Sequence, residues 1–597
     1  MISDSVRKQA EHFLYNETPF HLGEMLTEQP HRVTKTLSQT LQTGTAAGLL
    51  QLLQVDDDIV PVLKKTIHSA AFQNLRSAIL RTLNSGHRVF FSGCGATGRL
   101  AILLDAAHRR FCRKKAVLLH EKTVFFETLA EQTFSVMTGG DFALIRSVES
   151  FEDYIEFGKR QMFDAGIEPE DCLIAVSEGG ETSSVIGTIH AAIETGAKTF
   201  FLYNNPTELM CRMVGRSRNV MTDPRVQVLC LATGPMAVAG STRMQATTIE
   251  LLAAGLAFES ALDKLLHEKL TAEELEKIHY VPQIPLLGLE RFQTLLRQVR
   301  QEKNLRVLAD WTEYECSVYQ KNGLITYFPD EYVLDIFTDT TERSPTFKIP
   351  PFRSTLETAA PVSWAFVKDP VHSTENAWEH LLGRKPCCIE WTQDDYERMG
   401  AAQRIIDEPP KIDQSVLKTY LIGNEPDTSR RERSPNAALA FLAGNDLKHL
   451  TRKDEWYDAF LEQSGRFERR GAVFVGTGIA VDAGVFDAPV FAVDVHLPES
   501  PLELITHTAI KIVLNNVSTA AMGKLGRLNG NWMAHVDATN KKLIDRSIRL
   551  VSELAAVNYE TACYALFESL EEISGWTEAK RKTVSPAAYT VERLKKQ

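Results

Sequence analysis

Three loops of small residues interrupt the first half of the 597-residue chain, each ending a β-like run or opening a helical one. They read Ser92-Gly93-Cys94-Gly95-Ala96-Thr97-Gly98-Arg99, Ser177-Glu178-Gly179-Gly180-Glu181-Thr182-Ser183-Ser184 and Gly240-Ser241-Thr242-Arg243. The first follows Arg88-Val89-Phe90-Phe91 and precedes a helical segment. The free N–H groups around Gly95 and Gly98 and the positive end of the helix dipole therefore suit an anion. Hydroxyls of Thr97, Ser177, Thr182, Ser183, Ser241 and Thr242 add short donors. Many short donors with few cations is the pattern that wraps a phosphomonoester such as a sugar phosphate.

Strand-like runs at 88–92, 116–120, 133–138, 172–177, 198–204 and 226–232 alternate with helical patterns between about 65 and 265. Short apolar strands separated by helices predict a parallel sheet covered on both faces. Ligands of such sheets sit beyond the carboxyl ends of the strands, where all three loops fall. A helical pattern over 251–270 and the charged run Thr271-Ala272-Glu273-Glu274-Leu275-Glu276-Lys277 mark a domain boundary. A second alternation follows, with strand-like runs at 306–309, 323–328, 362–367, 420–423, 472–475 and 490–495, and predicts a second α/β domain of similar size. Segments 340–351 and 425–436, rich in turn formers or charge, read as surface insertions. Helical patterning runs from about 502 to the end. The expected layout is an N-terminal helical arm at 1–64, α/β domains at 65–275 and 276–545, and a C-terminal helical cap at 546–597.

Composition narrows the class. Hydrophobic content of 44% with 24% charged residues is that of a globular protein, and a net charge of −11 argues against nucleic acid or an anionic membrane as the main partner. The nine cysteines form no CxxC pair, which fits reduced thiols in a cytoplasmic protein. No apolar run reaches the length of a membrane span. The histidines lack ligand spacing, so neither a metal nor an organic cofactor is expected.

A dinucleotide site is one rival reading. Gly93-x-Gly95-x-x-Gly98 matches its fingerprint, and Glu121, after the run 116–120, would be the ribose partner. The two further hydroxyl-rich loops favour the phosphomonoester, because a dinucleotide pocket does not need them.

The set Gly95-Ala96-Thr97-Gly98-Arg99-Leu100, Thr138-Gly139-Gly140-Asp141, Val148-Glu149-Ser150-Phe151-Glu152-Asp153, Asn205-Pro206, and Gly234-Pro235 through Gly240-Ser241-Thr242-Arg243-Met244 resembles the sugar isomerase (SIS) domain of bacterial N-acetylmuramic acid 6-phosphate etherases. So do Lys511-Ile512-Val513-Leu514-Asn515-Asn516-Val517-Ser518-Thr519, Lys524-Leu525-Gly526, Gly530-Asn531-Trp532-Met533 and Ala538-Thr539-Asn540-Lys541-Lys542-Leu543. In single-domain etherases this second group directly follows the Gly-Ser-Thr-Arg segment, whereas more than 250 residues intervene here. The doubled layout is similar to that of the glucokinase regulatory proteins. The resemblance implies two flavodoxin-like SIS domains in tandem, with the competent site in the first. In the second, Gly476-Thr477-Gly478 is all that remains of Gly-x-Gly-x-Thr-Gly-Arg.

The same resemblance implies that Thr97, Ser177, Thr182, Ser241 and Thr242 bind phosphate or sugar hydroxyls and that Lys511 reaches in from the second half as the cation. Glu152 matches an acid/base glutamate of the etherases. Their acid closes an Asp-Ala-Ser-Glu segment two turns after the first-loop arginine. Here that segment reads Asp105-Ala106-Ala107-His108, so the acid is missing and His108 is the substitute candidate. The expected function is therefore binding of a hexose or amino-sugar 6-phosphate as a sensor or regulator of sugar-phosphate metabolism, with a sugar kinase as the corresponding partner. The alternative is a carbon–oxygen lyase that cleaves the lactyl ether of N-acetylmuramic acid 6-phosphate, with Glu152 as base and His108 or another group as acid. An aldose–ketose isomerase shares the domain, but nothing singles out its base. Glu178 and Glu181 read as a solvated loop, since carboxylates repel a phosphate dianion. Arg99 opposes its helix dipole and is a candidate partner for Asp105 or Glu152.

Overall fold

The computed structural model describes residues 3–148, 151–478, 486–536, 538, 541–577, 580–581 and 584–596. Glu149 and Ser150 of the first resemblance group, and Thr539 and Asn540 of the second, lie outside them.

The first sheet contains β1 (Val89–Gly93), β2 (Thr133–Met137), β3 (Cys172–Val176), β4 (Lys198–Tyr203) and β5 (Val226–Cys230), all parallel, in the order β2-β1-β3-β4-β5. The second contains β6 (Leu324–Phe328), β7 (Ala365–Val367), β8 (Asn436–Ala443), β9 (Arg469–Gly476) and β10 (Val490–Asp494), also parallel. Its order, β7-β6-β8-β9-β10 read from the β7 edge, repeats the first. This is the doubly wound 2-1-3-4-5 arrangement, present twice, as the sequence predicts. β1, β3, β6 and β8 are buried along their whole length, which is why they read as unbroken apolar runs rather than alternating ones.

Two long helices, Gln245–Lys269 and Leu504–Lys524, pack against each other between the sheets. Both are apolar on nearly every face because they are buried on nearly every face. Buried ion pairs add to this junction. Arg243 donates to Asp339 (3.0 Å), Ser518 (3.1 Å) and Thr519 (2.7 Å), and Arg99 pairs with Glu342. Beyond the second domain, helices Lys541–Ala555, Tyr559–Ser574 and Pro586–Lys595 form a cap, and the first helix, Asp4–Asn16, packs against the second of them. Among the described residues no helix is long and apolar enough to cross a membrane.

Several local expectations are corrected. Residues 116–118 end the helix Ala96–Leu118, and Glu121 sits in the following turn paired with Lys277 at 3.2 Å. The ribose partner of the dinucleotide reading is thereby lost. Residues 306–309 belong to the helix Glu302–Gln320, and 420–423 form no strand. β8 was not anticipated, because Ala437-Ala438-Leu439-Ala440 is poor in β-branched residues and alanine disfavours strands. Most of 340–351 is not a surface insertion but the buried end of the helix Val333–Phe347, which carries Pro345 inside it. Gly476-Thr477-Gly478 follows β9, the counterpart of β4. The true counterpart of the first glycine loop, after β6, reads Pro329-Asp330-Glu331-Tyr332.

Candidate functional site

β1 delivers the chain into its helix through a turn that only glycines permit. Gly95 has φ +56°, and a Cβ on Gly93 would stand 2.4 Å from the Thr97 carbonyl carbon. Strand and helix backbones thus approach closely, and a cavity of about 200 Å³ opens beside Cys94 and Gly95. Thr138, Glu152, Ser241 and Thr242 share its wall, facing Glu342 from the second domain and Lys542 and Arg546 from the first cap helix. Gly240, at φ +73°, lets Arg546 in: a Cβ there would lie 2.3 Å from its Nε.

Of the expected site residues, Gly95, Glu152, Ser241 and Thr242 line this cavity, whereas Thr97, Gly98, Ser177, Thr182, Ser183 and Lys511 lie in or under its loops and His108 lies elsewhere. The Thr97 hydroxyl accepts from the Cys94 N–H (3.0 Å) and donates to the Cys94 carbonyl (2.8 Å), stapling its own loop. Gly98 is the contact point with Met137, whose Cγ a Cβ would meet at 2.5 Å. Ser177 accepts from the Gly180 N–H at 3.1 Å and shares a 2.9 Å hydrogen bond with Thr182, the N-cap residue of the helix Ser183–Thr195. Ser183 is buried in the first turn of that helix.

Lys511 lies under the third loop rather than in the cavity wall. Its Nζ donates to the carbonyls of Arg243 (2.8 Å) and Met244 (3.0 Å), to Thr248 (2.8 Å) and to Asn515 (3.1 Å). Burial pushes this ammonium down, opposed by Asp56. Its donors are engaged there, and the cations that line the cavity are instead Lys542 and Arg546. Burial disfavours the Lys542 charge, but Glu181, Glu28 and Glu152 outweigh it and push its pKa up.

His108 is also corrected. It is fully buried, its Nε2 meets the Leu129 carbonyl at 2.9 Å, and its ring packs edge-on against Phe258. Burial pushes it down to about 4, so it is a neutral core imidazole remote from the cavity. Glu178 and Glu181 are buried rather than solvated: Glu178 accepts from Thr247 (3.3 Å) and Glu181 is bridged by Lys542 (2.8 Å). Arg99 pairs with neither Asp105 nor Glu152 but with Glu342, while donating to the Ala143 carbonyl at 2.8 Å.

Glu342 is the residue that sequence reasoning missed. The Asp-x-x-Glu ending that was sought after the first loop and found as Asp105-Ala106-Ala107-His108 recurs in the second domain as Asp339-Thr340-Thr341-Glu342. Its helix lies against the helix Ala96–Leu118, and this packing brings the last turns of the second-domain helix to the first-domain cavity. A search of both repeats for that spacing would have found it. The cavity therefore presents two carboxylates from different domains, the Ser241 and Thr242 hydroxyls, and two cations from the cap. That set can hold a phosphate and exchange protons with a bound sugar.

A doubly wound domain pair with this cavity defines a tandem SIS protein. Residues 72–193 match the family model of the glucokinase regulatory protein N-terminal SIS domain. The N-acetylmuramic acid 6-phosphate etherase of Picosynechococcus sp. is 32% identical over 250 residues, which span 41% of this chain and 71% of the relative. That of Trichormus variabilis is 32% identical over 248 residues, 41% and 69% of the two chains. The chain belongs to the N-acetylmuramic acid 6-phosphate etherase family and carries its SIS fold twice. Among solved structures, the C-terminal domain of glucosamine-fructose-6-phosphate aminotransferase from Francisella tularensis aligns over 80% of this chain and 96% of that one, at 9% identity and TM-score 0.44.

Proposed function

We propose that the first-domain cavity binds an amino-sugar 6-phosphate and that the chain cleaves the lactyl ether of N-acetylmuramic acid 6-phosphate, as a carbon–oxygen lyase. One observation carries this reading: Glu152 and Glu342 line one cavity. Eliminating a lactyl ether needs one group to take the proton next to the sugar carbonyl and another to protonate the departing oxygen. The regulatory reading expected from sequence rested on a missing acid and on the doubled architecture. Glu342 supplies a second carboxylate from the second domain, opposite Glu152. Ser241, Thr242, Lys542 and Arg546 hold the phosphate. The similarity to named etherases at 32% identity supports the same chemistry.

The sensor reading uses the same cavity without turnover, and its partner would be a sugar kinase. The match of residues 72–193 to a regulatory-protein SIS domain favours it. Either role belongs in the cytoplasm, where sugar phosphates and reduced cysteines are found together. A proton NMR time course with N-acetylmuramic acid 6-phosphate separates the two. Growth of a free lactate methyl signal supports the lyase, and ligand broadening without lactate supports the sensor. Unchanged spectra would remove the sugar-phosphate site altogether.

A further inference from the structure

The second sheet repeats the topology of the first but not its glycine loop, and a different chemistry occupies the corresponding place. In the order β7-β6-β8 the crevice between β6 and β8 is the switch point where chain connections diverge, the preferred ligand position of such sheets. Asp330 stands two residues beyond the end of β6, and Asp446 and His449 stand just beyond β8. Asp330 and His449, 119 positions apart in the chain, meet there at 2.8 Å. One ligand atom from each of Asp330, Asp446 and His449 falls within 4.8 Å of the others. Sequence spacing could not suggest this set, because only the β6–β8 pairing assembles it.

Two observations distinguish the cluster from an ordinary acidic patch. Asp446 is fully buried; its Oδ2 accepts from the Glu331 N–H at 3.1 Å, and its Oδ1 has no hydrogen-bond partner among the described residues. A buried carboxylate oxygen without a donor is costly unless a cation or proton meets it. The imidazole of His449 is also fixed from behind. Its Nδ1 lies 2.7 Å from both oxygens of Asp454, and its ring stacks on Trp456 at 5.2 Å. A carboxylate on the far nitrogen is the arrangement that orients metal-binding histidines. The second cluster, Asp369, His372 and His380, lacks such an orphan. Both Asp369 oxygens are already engaged, Oδ1 by the N–H groups of Val371 and His372 and Oδ2 by the His372 ring.

We propose that Asp330, Asp446 and His449 bind one divalent transition-metal ion, which ties the ends of β6 and β8 together. Two carboxylate oxygens and one imidazole nitrogen suit Zn2+, Mn2+, Fe2+ or Co2+. The site is separate from the sugar-phosphate cavity and does not depend on its assignment.

The test is titration of the full-length chain, stripped by chelator, with Co2+, read by its visible d–d absorption. Oxygen and nitrogen ligation is expected at one equivalent, without the near-ultraviolet thiolate band that exposed Cys230 or Cys387 would give. Asp446→Asn and His449→Gln should weaken this signal at least about a hundredfold, Asp454→Asn by roughly tenfold to a hundredfold, and Asp369→Asn not at all. Absence of the band in the wild-type chain, a signal that is wholly thiolate, or equal affinity in folded Asp446→Asn would overturn the proposal. If Asp446→Asn and His449→Gln do not fold, Asp369→Asn decides between the two clusters: a band kept there supports the proposal and a band lost there overturns it.

Discussion

The Nζ of Lys542, on the first cap helix, lies 2.8 Å from Oε1 of Glu181 in the loop after β3. The cap is therefore joined to the first sheet by an ion pair between a half-buried lysine and a buried glutamate at the rim of the cavity. Lys542→Met removes a phosphate donor and is expected to weaken sugar-phosphate binding by roughly tenfold to a hundredfold, the worth of one charged hydrogen bond. It also leaves Glu181 buried without its cation. The double variant Glu181→Gln with Lys542→Met should recover stability and not affinity. Calorimetric titration and thermal melts separate the two effects, and full recovery of affinity would show that Lys542 acts only on the fold.

Thr97 and Ser241 should behave oppositely. The Thr97 hydroxyl is spent on both backbone groups of Cys94, so Thr97→Val should cost about 1–3 kcal/mol of stability through an unsatisfied buried N–H. Ser241 lines the cavity, and Ser241→Ala should lower affinity while leaving the melting temperature within a degree or two. Urea unfolding alongside ligand titration checks both.

Glu28, in the arm that follows the first helix, is buried and bridged by Arg546 (2.6 Å) and Arg549 (2.7 Å). Burial pushes its carboxyl up, but the two guanidinium groups outweigh it and hold the pKa well below the usual carboxylate range. A depressed folded pKa gives stability that is present above the unfolded value near 4.5 and is lost as pH falls below it. Glu28→Gln should cost about 3–5 kcal/mol at neutral pH and show a smaller further loss in acid than the wild type. Denaturant midpoints at pH 7 and pH 3.5 measure the difference.

Glu178 carries the opposite sign. Burial pushes it up to about 7, with Glu342 and Glu181 adding to the rise. Stability from the protonated form is complete below about 4.5 and is lost as pH rises through 7. Glu178→Gln should therefore flatten the fall in stability between pH 5 and pH 8. An unchanged slope would mean that Glu178 is ionised in the folded state throughout.

Much of the fold could be read from the chain because buried parallel strands are continuous apolar runs, and β1, β3 and β6 have that form along their whole length. β8 escaped because four of its eight residues are alanines, which disfavour strands. The first-domain half of the cavity was legible because Gly93, Gly95 and Gly240 mark backbone turns that few other residues allow. Its other half was not. Glu342 and Arg546 reach the cavity only through helix packing and cap docking, and Lys511 and Thr97 have the right chemistry but spend it on backbone groups. The Asp330, Asp446 and His449 cluster escaped for the same reason, since strand pairing alone brings Asp330 to His449.

The central claim is that carboxylates from the two domains act together in one cavity. It is tested most directly by following D-lactate release from N-acetylmuramic acid 6-phosphate with wild-type protein and Glu342→Gln side by side. Release by the wild type is expected, with a loss of about 10²–10⁴-fold in the variant and ligand affinity retained. No release by the wild type, or equal rates from both proteins, would contradict it.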